Sequence, residues 1–175
     1  GFPHQDRLTD AVVGGEYTLM APWQQGIIPS YNIPTATGAH SRLIRWHYPN
    51  IRSCNEIIEI LNNATFDAAT VKAQIAEAKF LRAWMYLDMA KRFGGVPLEL
   101  TPKSVDAPAE ELMIPRSTLK ETYDQIIADL DAASADLPGI VPYGKASKWA
   151  AFALKSRAAL YAARIAKYHP QSSNG

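Results

Sequence analysis

Residues that could carry out catalysis or bind a metal are few and scattered in this sequence of 175 residues. The four histidines are far apart: His4, His40, His47 and His169. None pairs with a Cys, Asp or Glu at metal-ligand spacing, so we interpret them as surface or loop residues and predict no metal site. Asp129 and Asp131 lie on a predicted helix and point to different faces, which does not support a pair of catalytic carboxylates. The sequence also lacks a G-x-S-x-G element, a P-loop and a dinucleotide fingerprint, so we predict no enzyme activity and no cofactor.

Aromatic side chains near the start of the chain are the candidates for ligand contact. Residues 1–40 are rich in Gly, Pro and Thr and show no sustained period, which predicts loops. Trp23, Tyr31 and the neighbouring Asn32 lie among the prolines of this segment, and Trp46 lies just before a proline-marked helical pattern. A ring held in a loop can stack on an apolar face of a ligand, while an amide can hydrogen-bond to its polar groups. Burial in the core is the alternative that packing favours for each ring.

Composition limits the possible partners. With 47% hydrophobic and 20% charged residues, the chain is globular in character and long enough for one sizeable core. A formal net charge of +1, with Lys and Arg spread along helices, gives no reason to predict nucleic acid or an anionic membrane surface as a partner. No signal peptide opens the chain, and no apolar run approaches the roughly 20 residues of a membrane span. The single cysteine, Cys54, shares a helical stripe with Ile51, Ile58 and Leu61 and is predicted to be a core residue.

A long helix is predicted between residues 67 and 93, and the rest of the chain should be arranged around it. Asp67 can cap its first turn, and Gly94 and Gly95 should end it, with a positive φ at one of them. Its apolar residues form one stripe of Val71, Ile75, Ala78, Leu81 and Met85 and a second of Phe80, Trp84 and Leu87. Two stripes require cover on two sides. Trp84, and likewise Trp149 on a later helix, is therefore predicted to lie in the core.

The other periodic segments predict a chain of helical hairpins. The expected divisions are a loop-rich segment (1–40), a first hairpin (41–93), a Pro-rich linker (94–116), a second hairpin (117–168) and a tail (169–175). Ser41 is a candidate cap for the first helix, and Pro49 marks either a kink or a fresh first turn. The resulting fold class is all-α, with tetratricopeptide-like hairpins and long Pro-rich loops.

The second hairpin contains the clearest amphipathic pattern. Thr118 and Glu121 form a predicted capping box. The apolar residues that follow are spaced by four and three positions: Leu119, Tyr123, Ile126, Leu130, Ala133 and Leu137. In the last predicted helix, from residue 145 to 168, small side chains at Ala146, Ala150 and Ala153 should allow close approach of backbones.

Four collinear segments carry motifs of a known family. They are Ile51 with Asn55 and Ile57-Ile58; Glu77, Phe80-Leu81-Arg82-Ala83, Tyr86, Asp88 and Phe93-Gly94-Gly95-Val96-Pro97-Leu98; Pro115-Arg116-Ser117 with Tyr123, Ile126-Ile127, Asp129-Leu130 and Leu137-Pro138; and Gly144-Lys145-Ala146-Ser147-Lys148 with Arg157 and Leu160-Tyr161-Ala162. Together these segments cover most of residues 51–161 and resemble the SusD/RagB family, which are surface lipoproteins of Bacteroidetes that capture glycans.

The resemblance implies a non-catalytic protein that binds oligosaccharides or polysaccharides, or in some members peptides, beside a SusC-like TonB-dependent outer-membrane channel. It implies a SusD-like superhelix of which this chain is the N-terminal helical portion, with membrane attachment through a lipid anchor that this chain does not contain. In the family the sugar platform draws in part on the region before the first helix, so Trp23, Tyr31 and Trp46, with Asn32, become candidate sugar contacts. Sugar rings present apolar C–H faces that stack on such aromatic rings.

Two other interpretations use the same residues differently. A tetratricopeptide-type adaptor for protein partners should have a regular repeat array and a concave groove, whereas a long Pro-rich linker interrupts the repeat here. An all-helical enzyme fragment should have clustered acids or a metal site.

Overall fold

The computed structural model describes residues 46–104 and 106–168, which form five α-helices and no strand. The helices are α1 (Tyr48–Asn62), α2 (Ala68–Phe93), α3 (Ala109–Leu112), α4 (Leu119–Asp136) and α5 (Lys148–Tyr168). α1 packs against α2, and α2 packs against α4 and α5, which also contact each other. The predicted all-α architecture with Pro-rich connections is confirmed. In this described part of the chain, no helix is long and apolar enough to cross a membrane.

α1 begins later than the sequence pattern indicates. Trp46 and His47 are not helical, and the first helical residue is Tyr48, with Pro49 in the first turn. Proline is tolerated there because its missing N–H would have no partner inside the helix. Pro49 therefore marks a fresh first turn, whereas the predicted cap Ser41 lies outside the described residues.

The apolar stripe of α1 is confirmed at three of its four positions. Ile51, Cys54 and Leu61 are buried, whereas Ile58 is half-buried. Burial raises the pKa of the Cys54 thiol, which keeps it in the neutral form typical of a core cysteine.

Both ends of α2 are set by the residues that the sequence indicates. The Asp67 carboxylate accepts a hydrogen bond from the backbone N–H of Thr70 at 2.9 Å. At the other end Gly94 has a φ of +76°, a conformation that glycine adopts without strain. Gly95 is needed for a different reason, because a Cβ on it would lie 2.1 Å from the backbone oxygen of Ser117. The two glycines thus turn the chain and bring it against the start of α4.

The buried face of α2 differs from the predicted stripes. It contains Ala76, Ala78, Ala83, Tyr86, Leu87, Met89 and Ala90. Leu81 and Trp84, both predicted to be core residues, are 42% and 38% exposed. The small alanines let neighbouring helices approach one side closely. The side that carries Leu81 and Trp84 is covered only in part by the described residues, with the His47 ring 5.7 Å from that of Trp84.

α4 follows its sequence pattern closely. Thr118 Oγ1 accepts from the backbone N–H of Glu121 at 3.1 Å, and Glu121 Oε2 accepts from the backbone N–H of Thr118 at 2.8 Å, which completes the capping box. All members of the predicted stripe are buried: Leu119, Tyr123, Ile126, Leu130, Ala133 and Leu137.

α5 starts three residues after the predicted position, and its buried face is shifted. The backbone N–H of Lys148 donates to Pro138 O at 3.0 Å, and the helix begins at this residue. The buried residues are Ala151, Leu154 and Ala158. Of the alanines predicted to make the close contacts, Ala153 is exposed and Ala146 and Ala150 are only half-buried. Trp149, predicted to be a core residue, is 63% exposed.

A buried polar network connects three of the helices. Arg82 on α2 donates from Nε and Nη2 to the two carboxylate oxygens of Asp129 on α4, at 2.8 and 2.6 Å. Its Nη1 also donates to Asn55 Oδ1 on α1 at 2.7 Å. Burial alone would lower the pKa of Arg82, but the hydrogen bonds and charge of Asp129 raise it overall, so the guanidinium remains charged.

The segment after α2, which we call the strap (residues 96–100), is extended and held by side chains. Tyr48 Oη donates to Pro97 O at 3.0 Å, and Asn55 Nδ2 donates to Glu99 O at 2.9 Å. Tyr86 Oη both donates to Glu99 O at 2.9 Å and accepts from Glu99 N at 2.7 Å. These bonds satisfy backbone groups that no sheet or helix would pair. The strap is irregular as predicted, although the linker also contains the single-turn helix α3.

Candidate functional site

Three aromatic rings stack where α1 begins and α2 ends. The Trp46 ring lies 4.2 Å from that of Phe93, the last residue of α2, with an interplanar angle of 10°. It lies 5.9 Å from the ring of Tyr48, the first residue of α1, at 18°. Trp46 remains 46% exposed, so this stack offers an aromatic surface to solvent. We call these three residues the Trp46 stack.

Polar groups border the Trp46 stack. Arg116, which is exposed, donates from Nη2 to Phe93 O at 3.0 Å. Its charge is also close enough to lower the pKa of Tyr48, although burial dominates and raises that pKa to about 12. Tyr48 is therefore neutral at physiological pH, and its hydroxyl is used by the strap. The combination of an exposed ring and a guanidinium can take a ligand with one apolar face and several hydroxyl groups.

The backbone under Trp46 is fixed by a buried charged cluster. His47 is buried, and its Nε2 lies 2.9 Å from Asp88 Oδ2 on α2. Arg92 contacts the same carboxylate from one turn further along. The backbone N–H of His47 donates to Met89 Sδ at 3.4 Å. Of the two predicted alternatives for His47, the loop position is confirmed, since it precedes α1, and the surface position is wrong because its side chain is buried.

The predicted site residues can be located only in part. Trp46 is exposed in a ring stack, and Trp23, Tyr31 and Asn32 lie outside the described residues. Phe93 and Arg116 were not predicted to belong to a site. Both belong to family motifs, but nothing in the sequence places those motifs beside Trp46. No group of three or more His, Cys, Asp or Glu in the described residues could hold a metal ion.

A family model described as SusD-like, "Starch-binding associating with outer membrane", matches residues 20–160. The chain belongs to the SusD/RagB family. No curated protein matches it significantly in sequence.

Solved structures of SusD-like proteins have the same fold. A SusD-like protein from Bacteroides fragilis is 38% identical with a TM-score of 0.62, over 68% of this chain and 23% of its own. A laminarin-binding SusD-like protein is 27% identical with a TM-score of 0.61, over 72% of this chain and 26% of its own. A SusD-like carbohydrate-binding protein from Bacteroides fragilis is 28% identical with a TM-score of 0.61, over 69% of this chain and 24% of its own. The chain thus spans about a quarter of the length of these relatives.

Many SusD-like motif residues of this chain stabilise its fold. Arg82, Asp129 and Asn55 form the buried network, and Tyr86 holds the strap. Glu77 on α2 accepts from Lys145 Nζ at 3.0 Å and from the backbone N–H of Ala146 at 3.2 Å, and so holds the turn before α5. These motifs therefore identify the scaffold, and the ligand must be sought at exposed side chains.

Proposed function

We propose that this chain is the N-terminal helical part of a non-catalytic surface protein that binds oligosaccharides or polysaccharides. The bound glycan would be taken up through a SusC-like TonB-dependent channel. The proposal includes location at the outer membrane through a lipid anchor elsewhere in the polypeptide. Peptides are an alternative ligand class.

Family membership supports the binding of glycans. The family description names starch binding and association with the outer membrane. Among the solved relatives, one SusD-like protein binds laminarin, and another is described as carbohydrate-binding.

The observation that carries the proposal for this chain is the Trp46 stack. A pyranose needs an aromatic ring whose position is fixed before binding, since ordering a flexible ring would reduce affinity. Phe93 and Tyr48 hold Trp46 by stacking, and His47 is anchored to α2 beside it. Arg116 supplies donors at the border of the stack. Trp23, Tyr31 and Asn32, which lie outside the described residues, remain candidate sugar contacts from the sequence.

Affinity electrophoresis on a panel of neutral and acidic polysaccharides tests the proposal. Once a retarding glycan is found, the Trp46→Ala variant should bind it about fivefold more weakly, the equivalent of about 1 kcal/mol of stacking. Trp149→Ala is the matched control, since it removes an exposed indole outside the Trp46 stack. Circular dichroism would check that both variants are folded. Wild-type retardation of Trp46→Ala would place the platform elsewhere, and no retardation on any glycan would contradict the proposal.

The transport half of the proposal needs a separate measurement. The protein, expressed in its native host with an affinity tag, should co-purify from solubilised outer membranes with a TonB-dependent channel. Recovery of the tagged protein from outer membranes without such a channel would contradict the proposed partnership while leaving glycan binding intact.

A further inference from the structure

α5 has an uneven charge. Its sequence contains no acidic residue and five basic ones: Lys148, Lys155, Arg157, Arg164 and Lys167. Lys155 is paired with Asp131 on α4. Within the described part of the chain, Arg157, Arg164 and Lys167 form no salt bridge. The C-terminal half of α5 therefore carries cations that the described carboxylates do not neutralise.

Aromatic residues alternate with two of these cations on one flank of α5. Arg157, Tyr161, Arg164 and Tyr168 are separated by four, three and four positions, which places them along one side of a helix. All four side chains are exposed. We call these four residues the Arg-Tyr ladder.

Basic side chains lie beside the Tyr168 ring of the ladder. Arg164 Cζ lies 5.9 Å from the centroid of the Tyr168 ring, and Lys167 Nζ lies 5.3 Å from it. The two tyrosines are seven residues apart on the helix, or about 10.5 Å. This separation is about twice the length of one pyranose residue, so the two rings could contact alternate sugar residues of one oligosaccharide.

The basic end of α2 strengthens the positive potential beside the ladder. Lys91 is half-buried, and burial is the main cause of its lowered pKa. The charge of Asp88 opposes this shift, and the charges of Arg92 and Arg157 add to it. Arg157 therefore lies near other cations. The helix macrodipole favours cations in the last turn of α5, which explains Lys167, but its effect falls off within that turn and does not reach Arg157.

We propose that the Arg-Tyr ladder binds an anionic glycan, one that carries carboxylate or sulfate groups. The inference rests on the proposed function and names the class of glycan. Tyr161 and Tyr168 would stack on the C–H faces of the sugars. Arg164 and Arg157 would pair with the anionic groups, because a guanidinium can donate two parallel hydrogen bonds to them.

The test compares glycans that differ only in charge. One pair is polygalacturonate and the same polymer with its carboxylates methyl-esterified, and the other is dextran sulfate and dextran. Binding is measured by affinity electrophoresis and by titration calorimetry on the intact chain. The anionic member of at least one pair should bind about tenfold or more tightly than its neutral counterpart, and added salt should weaken that binding. The pair that responds identifies carboxylate or sulfate as the recognised group.

Single variants assign the binding to the ladder. Arg164→Gln should weaken binding of the anionic polymer about tenfold and leave neutral polymers unaffected. Arg52→Gln on α1 is the matched control because it removes the same charge at an exposed site. Tyr168→Ala should weaken binding, whereas Tyr168→Phe should retain it. Tyr143→Ala removes a fully exposed tyrosine outside the ladder and should have no effect.

Three results would overturn the inference. The first is no preference for the anionic polymer in either pair; if a polysaccharide of the panel is still bound, the proposed function survives alone. The second is an equal loss of affinity for the anionic polymer in Arg164→Gln and Arg52→Gln, which would show that binding depends on net charge and not on the ladder. The third is equal competition by double-stranded DNA or by anionic lipid vesicles, which would indicate an unspecific basic surface.

Discussion

At the scale of single residues, Arg82 and Asp129 decide how α2, α4 and α1 fit together. Both side chains are buried, and the two carboxylate oxygens of Asp129 each receive a hydrogen bond from the guanidinium. Gln125 Nε2 also donates to Asp129 at 3.1 Å. A buried ion pair contributes little net stability compared with apolar residues, but the loss of one partner leaves the other charge buried and unpaired.

We therefore predict that Asp129→Asn lowers the free energy of unfolding by about 3–5 kcal/mol, because Arg82 would remain buried without a counter-charge. Asp131→Asn, two positions away, removes an exposed ion pair with Lys155 and should cost less than about 1 kcal/mol. Urea denaturation followed by circular dichroism measures both. If the two variants lose equal free energy of unfolding, the burial of the ion pair between Arg82 and Asp129 does not increase its contribution to stability.

The glycine pair after α2 gives a second prediction. Gly95→Ala should destabilise the protein by more than about 2 kcal/mol, because the added Cβ would meet the backbone of Ser117 and not a side chain that can move. Gly94→Ala meets no atom within 4 Å and should cost only about 1–2 kcal/mol of backbone strain from its positive φ. The thermal unfolding midpoints of the two variants test this order. Gly139→Ala is the control, since its Cβ would make only an ordinary contact with Trp149 at 3.5 Å. A Gly95→Ala midpoint as high as that of the control would contradict the clash.

At the scale of whole helices, α4 depends on its N-terminal cap. Thr118→Ala removes the hydroxyl that accepts from Glu121 N, and we expect a loss of about 1 kcal/mol. Thr101→Ala, at an exposed threonine in the linker, should be close to neutral. The difference in stability is measured from the denaturant midpoints of the two variants, provided that the dependence of the free energy of unfolding on denaturant concentration is the same for both. If Thr118→Ala and Thr101→Ala lose the same stability, the hydrogen bonds of the capping box do not stabilise α4 measurably.

The sequence predicted some helices better than others for a physical reason. In α4, large apolar residues at spacings of four and three leave only one face that can be buried, so the pattern identified the face correctly. In α5, alanines occur all around the helix, and hydrophobicity cannot distinguish Ala150 and Ala153 from Ala151 and Ala158. Which alanines are buried depends on how α2 and α4 meet the helix, and that information is not local.

The candidate site was predictable only at Trp46, an aromatic residue just before a proline-marked helix start. Phe93 and Arg116 are distant from Trp46 in the sequence, and their proximity results from the antiparallel path of α1 and α2 and from the return of the linker. Bulk and helical spacing predict that Trp84 and Trp149 lie in the core. They are exposed instead because the described helices do not fully cover them.

At the scale of the whole molecule, α2 connects to each of the elements described around it through polar side chains. Glu77 holds the turn before α5, Arg82 reaches α4, Tyr86 holds the strap, and Asp88 binds His47 before α1. Loss of α2 packing would release each of these elements. We therefore expect the described helices to unfold in one cooperative transition.

This arrangement makes acid stability depend on Asp88. Burial would raise the pKa of Asp88, but the hydrogen bonds from His47 and Arg92 outweigh it and hold that pKa below its usual value. A carboxyl group whose pKa is lower in the folded than in the unfolded state contributes stability above the unfolded pKa of about 3.9, and this contribution is lost as pH falls through the folded pKa.

The contribution of Asp88 to the free energy of unfolding should therefore stay nearly constant between neutral pH and about pH 5. Below about pH 5 it should fall progressively as the carboxylate becomes protonated. Asp88→Asn should be less stable at pH 7 and should lose less stability on acidification, because it has no charge left to lose. Asp106→Asn removes an exposed carboxylate from the linker and serves as the control for net charge. Urea titrations from pH 7 to pH 3 give the three curves. If the curves of Asp88→Asn and Asp106→Asn both run parallel to that of the wild type throughout the acid range, Asp88 is not the cause of the acid lability. The lability would then arise from other carboxylates. The capping residues Asp67 and Glu121 are candidates because their pKa values are also lowered.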